Sequence, residues 1–343
     1  MSNQAAWMKK EKANLVVDTA EFPVPESNEL LVKNAVIGLN PIEAKIQKLS
    51  LIPIPYPNIL GLSFAGTVEK VGSSVTAFKP GDRVAVERSS AMGMKPTSGA
   101  YQKYVIADSR TTSKLEDNTT FEAGAATIVN LATAAVALGI SLKLDRPNPT
   151  GPNPANKAKK VLIYGGSSSV GGFAINFAIS AGYTVITTSS PANSATVNSL
   201  QPARVIDHTQ PAETIVAELK AAGPYDAVFD TIGLPTVTTI LGQVLAETGG
   251  EYYTTIPPFG PPNLPANVQR RMESYPSIME RPEYEEFREW FYGSLGQYLG
   301  TGRADKLLAP EKIEKIAGGL GGLQGALDKL DKGVSGKKLV VEL

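Results

Sequence analysis

The chain has 343 residues, 42% of them hydrophobic, with 33 basic residues set against 33 acidic ones. That length leaves room for two domains, and a formal charge of zero offers no field to draw the chain to nucleic acid or an acidic membrane surface. Small molecules are the expected partners. The absence of cysteine excludes disulfides, thiolate metal sites and a cysteine nucleophile, and a lone His208 excludes a site built on two imidazoles, so no metal site is expected. Residues 1–10 hold no apolar signal core, and no uncharged stretch reads as long and apolar enough to span a bilayer, which points to a cytoplasmic protein.

Up to about residue 125 the chain carries short strand-like runs at 30–37, 66–71, 83–86 and 101–106, with the partial apolar and polar alternation of half-buried strands. Turns at 72–74 and 79–82 supply the glycine and proline that reversals need. A β-rich barrel is expected there. From 121 to 144 an Ala- and Leu-rich stretch suits a buried helix bridging two domains, and the proline-dense segment 145–155 suits an exposed loop.

Thereafter strand and helix alternate: 160–164, 173–182, 184–189, 204–207, 214–222, 225–230, 237–246 and 251–255. Such alternation predicts a parallel sheet with helices on both faces. Residues 258–266 are again proline-rich. A helical run at 281–299 holds Trp290, Phe291, Tyr292 and Tyr298, expected mostly in core or subunit contacts, and 337–343 reads as a terminal strand rejoining the first domain. The expected domains are thus 1–125, 126–265 and a returning segment, 266–343.

The most telling stretch is the first strand of that alternation, which runs into Gly165, Gly166, Ser167, Ser168, Ser169 and Val170, followed by Gly171 and Gly172. Glycines after a strand let backbone approach a pyrophosphate, and the start of the next helix offers it N–H groups and partial positive charge. The spacing departs from G-x-G-x-x-G, and such a loop alone also ends ordinary strands. Its place in the alternation favours a dinucleotide.

Three segments carry a resemblance across nearly the whole chain. They are Pro-Asn-Ile-Leu-Gly-Leu-Ser-Phe-Ala-Gly-Thr-Val-Glu-Lys-Val-Gly at 57–72 with Phe-Lys-Pro-Gly-Asp-Arg-Val at 78–84, Gly-Ala-Tyr-Gln-Lys-Tyr-Val at 99–105, and Gly-Val-Ser-Gly-Lys-Lys-Leu-Val at 333–340. With the loop they resemble the medium-chain dehydrogenase/reductases. The resemblance implies an α/β fold: a GroES-like β-rich domain plus a Rossmann domain with a doubly wound parallel sheet. The family's zinc enzymes hold their metal with cysteine, histidine and cysteine, and here Asn40, Leu62 and Val129 stand at those places, none able to bind zinc in that way. Without a Lewis acid, alcohol oxidation loses its main device, which leaves the zinc-free quinone and enoyl reductases. Residues 38–45, 129–134 and 189–193 look most like fungal trans-acting enoyl reductases that serve polyketide synthases.

That likeness implies conjugate reduction: hydride passes to the β-carbon of an α,β-unsaturated carbonyl, and a proton to its α-carbon. Lys45 and Thr133 are the candidate donors to the carbonyl oxygen, although Lys45 also reads as a surface charge and Thr133 as a helix residue bonding its own turn. An acidic residue at the end of the second Rossmann strand would select NAD, whereas Ser190 and Asn193 there favour NADPH unless they merely cap the next helix. Ile42, Lys45, the loop residues 165–170, Ser190, Asn193, His208, Ile232, Thr255, Ile256, Ser335 and Gly336 are the expected cofactor contacts. Asn40, Thr133 and Ala134 are expected on the substrate side. Asp230 reads as structural, with Thr231, Ile232 and Gly233 walling the cleft that the family implies.

No tyrosine follows the Asn-Pro motif within a few residues, and Tyr56 sits in a Pro-Tyr-Pro turn where packing is expected, so protonation by solvent or by another residue such as Tyr101 is as consistent with the sequence as a dedicated acid. A quinone reductase is the second reading, and an NADPH-binding protein with little catalysis the third. The expected partner is a small molecule, free or carrier-bound on a polyketide synthase, and the chain a monomer or homodimer.

Overall fold

The computed structural model describes residues 2–256, 263–300 and 312–343. In chain order the first elements are β1 (Asn3–Met8), β2 (Leu15–Ala20), β3 (Glu29–Gly38), α1 (Pro41–Leu49), β4 (Asn58–Ile59), β5 (Ser63–Val71), β6 (Arg83–Glu87), β7 (Tyr104–Asp108), β8 (Thr112–Lys114) and α2 (Phe121–Ala135). Then come β9 (Lys160–Tyr164), α3 (Ser169–Ser180), β10 (Thr184–Ser189), α4 (Ser194–Ser199), β11 (Arg204–Asp207), α5 (Ala212–Ala222), β12 (Ala227–Asp230), α6 (Pro235–Leu245), β13 (Gly250–Thr254), β14 (Val268–Met272) and α7 (Tyr275–Ile278). The chain ends with α8 (Glu285–Gly300), β15 (Ile313–Ile316), α9 (Leu323–Asp331) and β16 (Lys338–Glu342).

These elements form two compact units, Met1–Val129 with Met279–Leu343, and Asn130–Ile278. The second unit runs to 278 rather than to the expected 265 because β14 adds to its sheet, pairing parallel with β13 from Gly250↔Val268 to Thr254↔Met272. Of the proline-rich segment 258–266, residues 257–262 lie outside the described residues.

In the first unit the seven-stranded sheet has the order β15-β16-β3-β5-β6-β8, with β7 also on β3, and a three-stranded sheet has the order β2-β1-β4. Strand β3 is the hub, because Leu30, Val32 and Ile37 pack in one core with Phe64, Val68, Val84, Val86, Val105, Leu339 and Val341. The terminal strand β16 lies antiparallel to β3, Val340 opposite Gly38. Strand β7 starts at Tyr104, later than expected, because residues 100–102 leave the ladder: Tyr101 N–H donates to Leu60 O at 3.0 Å and Tyr101 is fully buried. Strands β1 and β2 escaped the reading; β2 is exposed along most of its length and shows no inward-facing pattern. Helix α8 covers most of the expected 281–299 run, and its Phe291 and Tyr292 are buried, while Trp290 is half-buried.

The second unit is an all-parallel sheet of order β11-β10-β9-β12-β13-β14. This order reverses on either side of β9, the topology that places ligands at the carboxyl ends of the strands. Its central strand is apolar because both faces are covered: Val161, Leu162 and Ile163 are wholly buried, and Leu162 packs with Ile186, Val228, Leu241 and Tyr252.

Two expectations need correction. Helix α3 begins at Ser169, not at 173, since the Ser168 side chain caps it and draws two glycines into its first turn despite their poor helix propensity. Helix α2 continues through a π-turn to Ser141, and this run is long and apolar enough by length and composition to cross a bilayer, contrary to the expectation that no stretch would be. With 83% of that apolar window buried in the structure, it has the composition of a core helix.

Candidate active site

The nucleotide loop is built from the turn between β9 and α3. Gly165 has φ +88, and a Cβ there would lie 2.4 Å from Ile232 Cγ1; one on Gly171 would lie 2.2 Å from Gly165 O. Strand end and helix start therefore meet backbone to backbone, the cradle that a pyrophosphate needs. Gly165 N–H donates to Thr188 Oγ1 at 2.9 Å and Gly166 N–H to Thr188 O at 2.9 Å, pinning the loop to the end of β10.

Thr231 Oγ1 donates to Tyr164 O and Gly165 O at 2.9 and 3.0 Å. Ser168 Oγ accepts from Gly171 N–H at 2.9 Å and so directs its own proton to Thr231 Oγ1, 2.8 Å away. Ser167, Ser168, Ser169 and Val170 are half-buried at a helix start whose first N–H groups have no partner within the helix. Such a terminus favours an anion, and this donor set fits a dinucleotide phosphate.

Around the loop, the carboxyl ends of neighbouring strands carry the other expected cofactor residues of this unit. Asp230 closes β12 by accepting Ile232 N–H at 2.9 Å, Gly233 N–H at 3.0 Å and the Thr254 hydroxyl at 3.3 Å, and Thr255 N–H donates to Asp230 O at 3.1 Å. Burial pushes the Asp230 carboxyl above the usual range while these donors oppose it, so Asp230 holds the Ile232 turn and the start of the Thr255–Ile256 segment. At the end of β10, Ser190 Oγ accepts from Asn193 Nδ2 at 3.3 Å and makes no side-chain cap bond to the following turn. His208 is exposed, and its N–H donates to Ser189 O at 3.3 Å. Thr133 is half-buried and Ala134 buried on α2.

In the first unit, Asn40 precedes α1, which carries Ile42 and Lys45, and Ser335 and Gly336 precede β16. Lys45 is half-buried, and burial lowers the pKa of its ammonium. Asn40 is buried and its amide is fully engaged: Lys338 Nζ donates to Oδ1 at 2.7 Å, while Nδ2 donates to Ser63 Oγ at 3.1 Å and to Gly38 O and Glu43 Oε1 at 3.3 Å each. Glu43 receives Asn40 N–H at 2.8 Å, Leu62 N–H at 2.7 Å and the Tyr101 hydroxyl at 2.9 Å. Burial raises the Glu43 carboxyl against these donors and the charge of Lys338.

The Tyr101 proton is thus committed to Glu43 inside the core, and burial together with that carboxylate raises its phenol well above the usual value. This corrects the expectation that Tyr101 could protonate a substrate. Tyr56 packs against the same core, as its Pro-Tyr-Pro turn implied. At the three positions that the family resemblance assigns to zinc ligands stand an amide bound to Lys338, the leucine whose N–H serves Glu43, and buried Val129, side chains that do not make a cysteine and histidine zinc site. Among the described residues no group of three or more His, Asp or Glu side chains is arranged to take a metal. Glu43 and Lys338 were missed in the sequence. The Asn40-x-x-Glu43 spacing of a capping box was the one legible signal for Glu43.

A β-rich unit in one chain with a doubly wound unit whose loop fits a dinucleotide phosphate is the architecture of a dinucleotide-binding protein. Residues 26–117 match the alcohol dehydrogenase GroES-like domain. Over its full length the chain is 31% identical to dehydrogenase azaJ of Aspergillus niger, covering 99% of that protein. It is 33% identical to trans-enoyl reductase tndF of Aspergillus flavipes, with 99% of each chain covered. In solved structures it resembles a quinone oxidoreductase of Pseudomonas syringae pv. Tomato DC3000, with a TM-score of 0.76 at 24% identity over the whole of both chains. A mycobacterial protein solved with NADPH gives a TM-score of 0.75 at 22% identity, again over both whole chains. The chain belongs to the medium-chain dehydrogenase/reductase superfamily, in its enoyl reductase branch, and is an oxidoreductase enzyme.

Proposed function

We propose that the protein is a zinc-independent, NADPH-dependent reductase of the activated C=C bond in an α,β-unsaturated carbonyl compound. The observation that carries this reading is the set of buried Asn40 and Glu43 with half-buried Leu62, whose polar groups are taken up by one another and by Lys338 and include no thiolate or imidazole. A carbonyl conjugated to C=C needs less electrophilic help than an alcohol oxidation, because charge spreads as an enolate that ordinary hydrogen-bond donors stabilise. The name trans-enoyl reductase, borne by three of the fungal relatives, agrees with that acceptor.

The loop residues 165–170, with Ile232, Thr255 and Ile256, are proposed to hold the cofactor, together with Ile42, Lys45, Ser335 and Gly336 of the first unit. No carboxylate ends β10, so Ser190 and Asn193 offer a 2′-phosphate donors with no negative charge of their own, with His208 just past the end of the adjoining strand. Bound there, NADPH supplies the hydride taken up by the substrate's β-carbon. Lys45 and Thr133 are the proposed donors to the carbonyl oxygen, Ala134 lines the acceptor side, and Asn40 shapes it by fixing the start of α1. With Tyr101 committed to Glu43, the α-carbon proton is assigned to solvent. The acceptor is proposed to be an enoyl chain carried on a polyketide synthase.

The test follows NADPH consumption with enoyl thioesters, enones and quinones, with 4-deuterated NADPH used to locate the transferred label. Label at the β-carbon of an enoyl product is the expected result. Turnover of quinones alone overturns the acceptor class, and equal use of NADH overturns the cofactor assignment.

A further inference from the structure

The first unit buries an amino group at the start of its terminal strand. Lys338 is the first residue of β16, and it is 8% exposed. An apolar side chain would fill that place without the cost of removing an ammonium from water. Its hydrogen bond runs to one atom, Asn40 Oδ1 at 2.7 Å, and its counter-charge is Glu43, which Asn40 also touches. The bond is local in space and remote in sequence. On one side it precedes α1, which carries Ile42 and Lys45; on the other it follows Ser335 and Gly336.

We propose that Lys338 is a positioning residue of the reductase: seated on the Asn40 amide, it locks the start of α1 to the C-terminal strand and so fixes two groups of cofactor-contacting residues relative to each other. This rests on the reading of Ile42, Lys45, Ser335 and Gly336 as cofactor contacts. The bond also sets the orientation of Asn40. With Oδ1 held by the ammonium form of Lys338, which only donates, Nδ2 faces Ser63 Oγ, Gly38 O and Glu43 Oε1, all of them capable of accepting.

The titrating group that acts on this lysine is Glu43. Glu43 faces it from α1, and Glu43 in turn faces Tyr101 and Arg88. On the neighbouring β15, Glu314 is taken by Lys329 and Lys337, and Lys315 by Glu122 and Glu342; Lys48 on α1 is taken by Asp328. Burial pulls the Lys338 ammonium down to about 7, with Glu43 opposing. The lock therefore changes charge in the neutral range.

The experiment compares the full-length wild type with Lys338→Met and Lys338→Arg. Thermal melts are recorded, with the NADPH dissociation constant and, wherever turnover is present, KM and kcat measured from about pH 6 to pH 9. Lys338→Met is expected to raise the NADPH dissociation constant about tenfold, the scale on which a misplaced contact is felt. Wild-type binding is expected to show a limb near neutrality, and Lys338→Arg to restore affinity to within about threefold while losing that limb, since a guanidinium stays charged. Unchanged affinity in Lys338→Met, or the same neutral limb in Lys338→Arg, overturns the proposal. If Lys338→Met does not fold, the arginine variant alone decides. A wild type that binds NADPH but reduces no enoyl acceptor counts against the acceptor reading and leaves this binding test intact; a wild type that binds no NADPH overturns both.

Discussion

Ser168 Oγ and Thr231 Oγ1 lie 2.8 Å apart, one at the cap of α3 and the other in the turn after β12. Because Thr231 spends its proton on the carbonyls of Tyr164 and Gly165, the Ser168 hydroxyl must donate to Thr231 and accept from Gly171 N–H. One side chain thus caps the helix and orders the loop. Ser168→Ala is expected to lose about 1 kcal/mol of stability, the usual worth of such a cap, with unchanged denaturant m-value. Urea unfolding checks that loss, and NADPH titration is expected to show weaker binding. A variant as stable as wild type would show that α3 is capped by other means.

Close backbone approach gives a sharper outcome at Gly171. A Cβ there would stand 2.2 Å from the carbonyl oxygen of Gly165, and backbone cannot swing aside as a flexible side chain can. Gly171→Ala is expected to force α3 away from β9, lowering the melting temperature and abolishing measurable cofactor binding. Gly325 on α9 is the control, since a Cβ added there meets nothing within 4 Å. Gly325→Ala should be neutral or stabilising by up to about 1 kcal/mol, through helix propensity alone. If both alanines behave alike, the steric argument for Gly171 fails.

The cofactor preference can be inverted at the end of β10. Ser190 and Asn193 lie within one turn, joined by a 3.3 Å hydrogen bond. Ser190→Asp places a carboxylate where the proposed 2′-phosphate sits and should raise the KM for NADPH by about tenfold or more while lowering that for NADH. Steady-state kinetics with both cofactors measure the ratio. Equal changes for the two would place the adenosine ribose elsewhere.

What could be read without the fold was whatever neighbours in sequence encode. The apolar run 161–164, the glycines after it and the alternation that follows all depend on short-range pattern, and β9 to β13 appear within a few residues of their expected places. The misplaced start of α3 has a local cause as well: Gly171 and Gly172 read as loop by propensity, and the cap of Ser168 overrode them. The buried polar set was hidden for a different reason. Lys338 and Asn40 are 298 positions apart, and nothing in a Lys-Lys-Leu-Val-Val strand reveals that its second lysine turns inward. The engagement of Tyr101 was hidden likewise, because its hydroxyl partner Glu43 lies 58 residues away.

The same long-range logic makes Glu87 on β6 a pH-dependent element. Its carboxyl is buried, receives the Tyr292 hydroxyl at 2.8 Å, and is pushed well above the usual carboxylate range by burial, with the charge of Glu280 adding to the rise. A carboxyl whose folded value is raised keeps its proton after the unfolded chain has lost its own. Its stabilising contribution is therefore full below the ordinary carboxylate range and declines as pH rises toward the folded value. Glu87→Gln has no proton to lose, and its amide oxygen can still accept from Tyr292. The melting temperature of Glu87→Gln relative to wild type should thus be near zero or negative at about pH 4 and climb steadily toward pH 8, as wild type alone suffers the penalty. Melts of both proteins in matched buffers supply the difference curve. A flat difference across that range would mean that Glu87 ionises alike in the folded and unfolded chains, and that the contact with Tyr292 compensates its burial in full.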